Sequence, residues 1–171
     1  MPKSKSEYWL TRVVFLRLLG LIYFIAFLSL AHQVIPLIGS DGLTPAKDFL
    51  DLSRWNVENR FEAFVNLPTM FWFHISDNFL LILAWLGVVL SLLVLFGFAN
   101  SIIMILLWFL YMSFVHIGQL WYSFGWEIQL LETGFIAIFL CPLLDIRPFP
   151  KHPAPAPAIW LLRWLTFRIH L

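Results

Sequence analysis

"FLLILAWLGVVLSLLVLFGF", Phe79 to Phe98, decides the fold: it runs twenty residues without a charge. A bilayer core of about 30 Å needs roughly 20 residues of helix. Three further runs have the same character. They are "VFLRLLGLIYFIAFLSLAHQV" from Val14 to Val34, Ile102 to Tyr122, and about Ile128 to Leu144. Only Ala99, Asn100 and Ser101 separate the second run from the third, which predicts a tight antiparallel helical hairpin.

Composition agrees. Hydrophobic residues make up 61% of the chain and charged residues 12%, where a soluble domain carries about 25% charged residues. Too little polar material remains for a water-facing surface, so the surface meets lipid. Period-2 alternation is absent from the long apolar runs, which excludes an outer-membrane barrel. A net charge of +1 without a basic patch gives no sign of nucleic-acid binding. The single Cys141 has no partner for a disulfide within the chain. The expected class is an all-α polytopic transmembrane bundle of four spans plus an incomplete fifth helix.

Orientation follows the positive charges. Lys3, Lys5 and Arg12 precede the first span, and Arg147 and Lys151 follow the fourth. An even number of spans places both groups on the cytoplasmic side. The start "MPKSKSEYWLTR" has the charge of a signal peptide, but the apolar run behind it is too long, so it reads as a retained anchor. Arg17, one turn inside, can snorkel back to the headgroups.

Residues 39–78 then form an outer loop with six acids against Lys47, Arg54 and Arg60. Loops of that length usually have a job or a structure of their own. In "GSDGLTPAKDFLDL", Thr44 is placed to cap a short helix with Pro45 at its first position, and Phe49, Leu50 and Leu52 fall on one side. A second short helix in "NVENRFEAFVNL" aligns Val57, Phe61 and Phe64 and stops at Pro68. Both are expected on the membrane surface with apolar faces down. Phe71, Trp72 and Phe73 add interfacial aromatics, and Ser76 or Asp77 caps the second span.

The domain organisation expected is a four-span domain over 1–146, a stiff Pro-rich linker over 147–158, and the start of a truncated further helix over 159–171. Thirteen helical residues reach about 20 Å, short of the hydrocarbon thickness. Arg163, Thr166 and His170 share one face of it, and Trp160, Trp164, Phe167 and Leu171 the other, so the piece can lie flat at the interface.

Two acids stand in or beside the fourth span. Glu127, next to Trp126, is expected to be solvated. Glu132 lies more than a turn deeper, where a charge must face the bundle or a wet cavity and needs a partner. The third span supplies a polar stripe of Ser113, His116, Gln119 and Ser123. The expectation is a polar intramembrane cluster of His116, Gln119 and Glu132, most simply interhelical glue worth about 0.6 kcal/mol per bond. Five residues apart, the two acids lie on different faces and are no general acid and base pair.

Enzyme signatures are missing. His32, His74, His116, His152 and His170 are scattered without an i, i+4 pair, so no metal site is read. Neither G-x-S-x-G nor a Gly-rich phosphate loop occurs, and no lysine lies within a span. No catalytic residue and no cofactor are assigned.

Several stretches resemble the lipase maturation factor family, in order along nearly the whole chain. They are "GLIYFIAFLSLAHQVIPLIGSDGLTPA", "LPTMFWFHISDNFL", "SFGWEIQLLETGFIAIFLCPLLDIRP" and "IWLLRWLTFRIHL". The run around "LLETGFIAIFL" is the most specific and contains Glu132. The resemblance implies a polytopic membrane protein, of the endoplasmic reticulum in eukaryotes and of the inner membrane in a bacterium, that helps secreted lipases reach an active fold. Family members continue past the point matching "LLRWLTFR". The chain is therefore expected to be an N-terminal membrane portion, with a secreted lipase or a missing C-terminal half as partner beside the membrane lipids. Trp55, Phe61, Trp72 and Phe73 are the expected surface for a partner or for the membrane. A rival reading is a membrane enzyme or a lipid- or quinone-binding protein with its pocket at His116, Gln119 and Glu132.

Overall fold

The computed structural model describes residues 9–54, 59–143, 145 and 155–169, and every described element is helical. Helix α1 runs Trp9–Ile38, α2 Ala46–Arg54, α3 Arg60–Asn66, α4 Asp77–Leu95, α5 Ser101–Ile117, α6 Gly125–Leu140 and α7 Ala156–Ile169. Single 3-10 turns occupy Met70–Trp72 and Gln119–Tyr122. Two helices, α1 and α4, are long and apolar enough to cross a membrane. The apolar α5 has 17 residues and α6 has 16, about 25 Å each at the helical rise.

The ends of these helices have local causes. Helix α4 starts at Ser76, whose hydroxyl accepts the Phe79 N–H at 3.3 Å. It stops before Gly97, which takes a φ of 99°. There the Gly97 N–H reaches the Val94 carbonyl and the Phe98 N–H the Leu93 carbonyl, both at 2.9 Å, the pairing of a Schellman cap. The expected end at Phe98 thus retreats by three residues. Asn100 caps α5 by accepting the Ile103 N–H at 2.7 Å, so the tight hairpin forms as expected. Helix α5 gives way at Gly118, and Gln119 has a φ of 51°, so the expected third run closes in a 3-10 turn. Pro142 follows the end of α6 closely, and the helix stops at Leu140 rather than Leu144.

The carbonyls orphaned at that end are satisfied from α5. The Ser101 hydroxyl donates toward Ile138 O at 3.0 Å and Cys141 O at 2.9 Å, and its N–H donates to Pro142 O at 3.0 Å. Serine opening α5 therefore closes the far end of the α5–α6 hairpin.

Helices α1 and α4 form the most extensive helix pair. Glycine makes their approach possible: a Cβ on Gly20 would stand 2.6 Å from the Leu95 nitrogen, and one on Gly87 would collide with the Phe27 ring. Around this pair the core is aromatic. Tyr23 and Phe27 of α1 meet Tyr111 of α5 edge-on at 5.6 and 5.5 Å. Phe114 continues the stack to Phe71 at 5.0 Å, carrying it from α1 through α5 to the segment between α1 and α4.

Helix α7 packs on α6, with Ala158 and Leu165 buried. Trp160, Trp164 and Phe167 face outward, as the aromatic face read from the sequence suggests. Arg168 of α7 also contacts α6. Most of the Pro-rich stretch, and His170 and Leu171, lie outside the described residues.

Candidate functional site

Two sites emerge from the polar residues, and neither is the expected cluster. The structure records no bond between Glu132 and either His116 or Gln119. Glu132 instead forms an ion pair with Arg168 of α7. Both side chains keep partial exposure, 36% and 45%, so the pair sits at the helix–helix rim rather than in the core. Arg168 also lies over the Trp164 ring, 5.3 Å from its centroid. A deep acid needs a partner, as the sequence argued. That partner comes from the helix whose role was read as peripheral.

Ser113, His116 and Gln119, on α5 and the 3-10 turn after it, have a different role: they fasten residues 39–78. His116 Nδ1 is 3.0 Å from Pro68 O. Gln119 Nε2 donates to Thr44 O at 3.1 Å. The Ser113 hydroxyl accepts the Met70 N–H at 3.2 Å, and Thr69 Oγ1 donates to Ser113 O at the same distance. Trp121 Nε1 adds a bond to Thr44 Oγ1 at 2.9 Å. Loop carbonyls and N–H groups that would otherwise be orphaned are thus paired by α5 and the 3-10 turn that follows it. Thr44 is spent on this fastening and does not cap α2, as the sequence suggested; its hydroxyl donates toward Leu37 O at 3.4 Å.

The loop's ends are also tied, Ser40 to Asp77, so Asp77 anchors the loop while Ser76 alone caps α4. Its apolar residues divide between inside and outside. Phe71 is buried and Phe64 rests near Phe109 at 6.5 Å, whereas Leu52 points outward, against expectation. Of the expected surface residues, Phe61 is 77% and Phe73 83% exposed. Trp72 is half-buried and donates Nε1 to Leu67 O at 2.8 Å. Trp55 and Val57 lie outside the described residues.

Sequence reasoning misplaced the other acid. Glu127 is 1% exposed rather than solvated. It shares a helix face with Leu130, Gly134 and Ala137, all buried, while Trp126 and Ile128 point outward. Gly134 was the available signal: a small residue marks where a helix approaches its neighbour, and Glu127 lies two turns before it on the same face. Its Oε2 makes no hydrogen bond among the described residues, and neither does the Tyr111 hydroxyl. The nearby Tyr122, in the turn beyond α5, has its phenol pushed above the ordinary range, first by burial and then by the Glu127 charge.

Among the described residues no group of three metal-ligating side chains occurs. The arrangement offers a loop clamped on a helix and a helix clamped by an ion pair.

Comparison with known proteins places this architecture. Residues 10–171 match the family model described as the lipase maturation factor transmembrane domain. Lipase maturation factor 1 of Mus musculus is 49% identical over 177 residues, and that of Homo sapiens 46% identical over 174; each alignment covers 97% of this chain and 30% of the relative. Lipase maturation factor 2 of Homo sapiens is 32% identical over 94% of this chain and 24% of its own length. These relatives are named as maturation factors, not as enzymes. No solved structure matches. The chain thus spans less than a third of the length of these relatives, and it belongs to the lipase maturation factor family.

Proposed function

We propose that this chain is the membrane-embedded portion of a factor that assists the folding of exported lipases. In this reading α1, α4, α5 and α6 are four spans, with the N-terminus cytoplasmic and residues 39–78 on the opposite side. Residues 1–146 form that domain, and α7, beyond the Pro-rich linker, begins a further crossing. The membrane is the inner membrane in a bacterium or the endoplasmic reticulum in a eukaryote. Helices α5 and α6 are a few residues short of a perpendicular crossing, a mismatch that a locally thinned bilayer accommodates at modest cost.

The observation that carries the reading is the family match over residues 10–171. The clamped outer loop supports it: it presents Phe61 and Phe73 to the side where an exported client would be met. A loop tied by its ends and by α5 loses little entropy on meeting a partner, which favours binding by preorganisation.

The test is co-expression of the chain with an exported lipase, measuring secreted activity and co-elution. Wild type raises the active lipase fraction, and Phe61→Ser with Phe73→Ser removes the gain while the chain still enters the membrane. Equal active lipase with and without the chain overturns the reading. Orientation is checked by single introduced cysteines in a Cys141→Ala background. Labelling from the cytoplasmic side at residues 39–78 contradicts the proposed topology.

A further inference from the structure

The packing of α6 on α5 buries two polar side chains deeply. Glu127, in the first turn of α6, and Tyr111 of α5 are each 1% exposed. Neither Glu127 Oε2 nor the Tyr111 hydroxyl makes a hydrogen bond among the described residues. Native folds leave few buried polar groups in that condition, and each has a reason.

The groups that face Glu127 leave its Oε2 without a donor. Tyr111 comes from α5 and Tyr122 from the 3-10 turn after it, both close enough for the carboxylate to act on them electrostatically. Tyr23 of α1 donates its hydroxyl to Leu130 O at 3.3 Å. His116 of α5 is held on Pro68 O, and Arg168 of α7 is taken by Glu132. A helix N-terminus favours a carboxylate, but by far less than it costs to bury a charge that lacks a donor. A carboxyl group that carries a proton is neutral and escapes most of that cost.

Tyr122 ties this spot to residues 39–78. Its turn, Gln119–Tyr122, also carries the Gln119 and Trp121 bonds to Thr44. Gln119 holds a φ of 51°, in the left-handed region that a residue with a Cβ rarely adopts. Such a conformation persists only while its surroundings hold it. Here Thr44 holds the turn on one side. On the other, the Tyr122 ring is seated so close to Gly118 that a Cβ there would collide with it.

We propose that Glu127 carries a proton in the folded chain at neutral pH, and that this proton keeps the Gln119–Tyr122 turn fastened to Thr44. Loss of the proton leaves a buried carboxylate that draws the hydroxyls of Tyr111 and Tyr122 to itself. The shift of Tyr122 then strips the turn from Thr44. At neutral pH the folded chain holds one more proton than the unfolded chain, so rising pH weakens the fastening and falling pH restores it. The pair is a proton-operated latch on residues 39–78. Its bearing on a client rests on reading that segment as client-facing; the proton on Glu127 does not.

The full chain in phosphatidylcholine vesicles is tested by infrared spectroscopy, which reads the carbonyl band of an un-ionised carboxylic acid. Wild type shows that band at neutral pH and loses it reversibly in mild alkali. Glu127→Gln lacks it and Glu132→Gln keeps it. Limited proteolysis within residues 39–54 reads the latch. Wild type and Glu127→Gln are cleaved equally at neutral pH. In mild alkali wild type is cleaved roughly fivefold faster than the variant, the equivalent of one lost hydrogen bond. Tyr122→Phe keeps the band and abolishes that difference. A wild-type spectrum without the band at neutral pH overturns the proposal before any variant is made, and so does a band that survives Glu127→Gln. A cleavage ratio that does not change with pH overturns the link to residues 39–78. None of these measurements needs a lipase, so their failure is distinct from failure of the co-expression test.

Discussion

Ser40 and Asp77 are joined twice: the Ser40 N–H donates to Asp77 Oδ1 at 2.8 Å and its hydroxyl to Oδ2 at 2.6 Å. This pair brings the start of the segment 39–78 to the first residue of α4. Hydrogen bonds to a charged group contribute about 1.5–3 kcal/mol when well formed, less here because the pair is exposed. Asp77→Ala, with the Ser76 cap intact, is expected to speed proteolysis within residues 39–78 severalfold. The digestion pattern elsewhere stays unchanged.

His116 of α5 and Gln119 of the 3-10 turn that follows it fasten the same loop. His116→Ala leaves Pro68 O without its partner, and Gln119→Ala does the same to Thr44 O. Each loss is expected to cost about 1 kcal/mol. Hydrogen exchange tests this, with faster exchange at residues 43–73 and none at α4.

Glu132 and Arg168 are predicted to be coupled energetically. A double-mutant cycle of Glu132→Gln and Arg168→Gln, read by thermal unfolding in detergent, is expected to give about 0.6–1.7 kcal/mol, the range of polar pairs between membrane helices. The partial exposure of both side chains favours the lower end. Additive single effects would show that the ion pair does not hold α7.

Gly20 faces backbone rather than a movable side chain, so a Cβ there has no room. Gly20→Val is expected to destabilise by about 1–3 kcal/mol, the cost of overpacking. A lower unfolding midpoint in detergent, together with weaker association of α1 with α4, checks this.

Tyr122 carries a pH dependence. Its phenol is raised above its ordinary value by burial and secondarily by Glu127. A folded pKa above the unfolded one gives a contribution that is whole below about pH 10 and is lost as pH rises beyond it, because the unfolded chain ionises first. The unfolding midpoint is expected to fall as pH rises above about 10, and to fall less in Tyr122→Phe.

Phe79 to Phe98 was legible because an uncharged run of that length has few other fates, and "AN" before Ser101 was legible as a turn with its cap. The helix ends were less so, because Gly97 and Pro142 act through local backbone geometry that a hydropathy window averages away. For the polar stripe, Ser113, His116 and Gln119 were found on one face by spacing. Their partners were not, since backbone groups of a loop 43 to 75 residues away have no sequence signature. Glu127 and Glu132 exchanged roles because depth was read from position along the helix, whereas rotation about the axis decided which one is buried. Arg168 was overlooked because a 13-residue helix reads by itself as an interfacial piece, until its cation finds an acid on α6.

Ser101 has a mechanical consequence. By bonding the end of α6, it makes α5 and α6 a closed frame, joined through the chain at one end and through this serine at the other. The outer loop hangs from one strut of that frame and α7 from the other. Residues 39–78 and α7 are thus anchored to one and the same unit, although they are far apart in sequence.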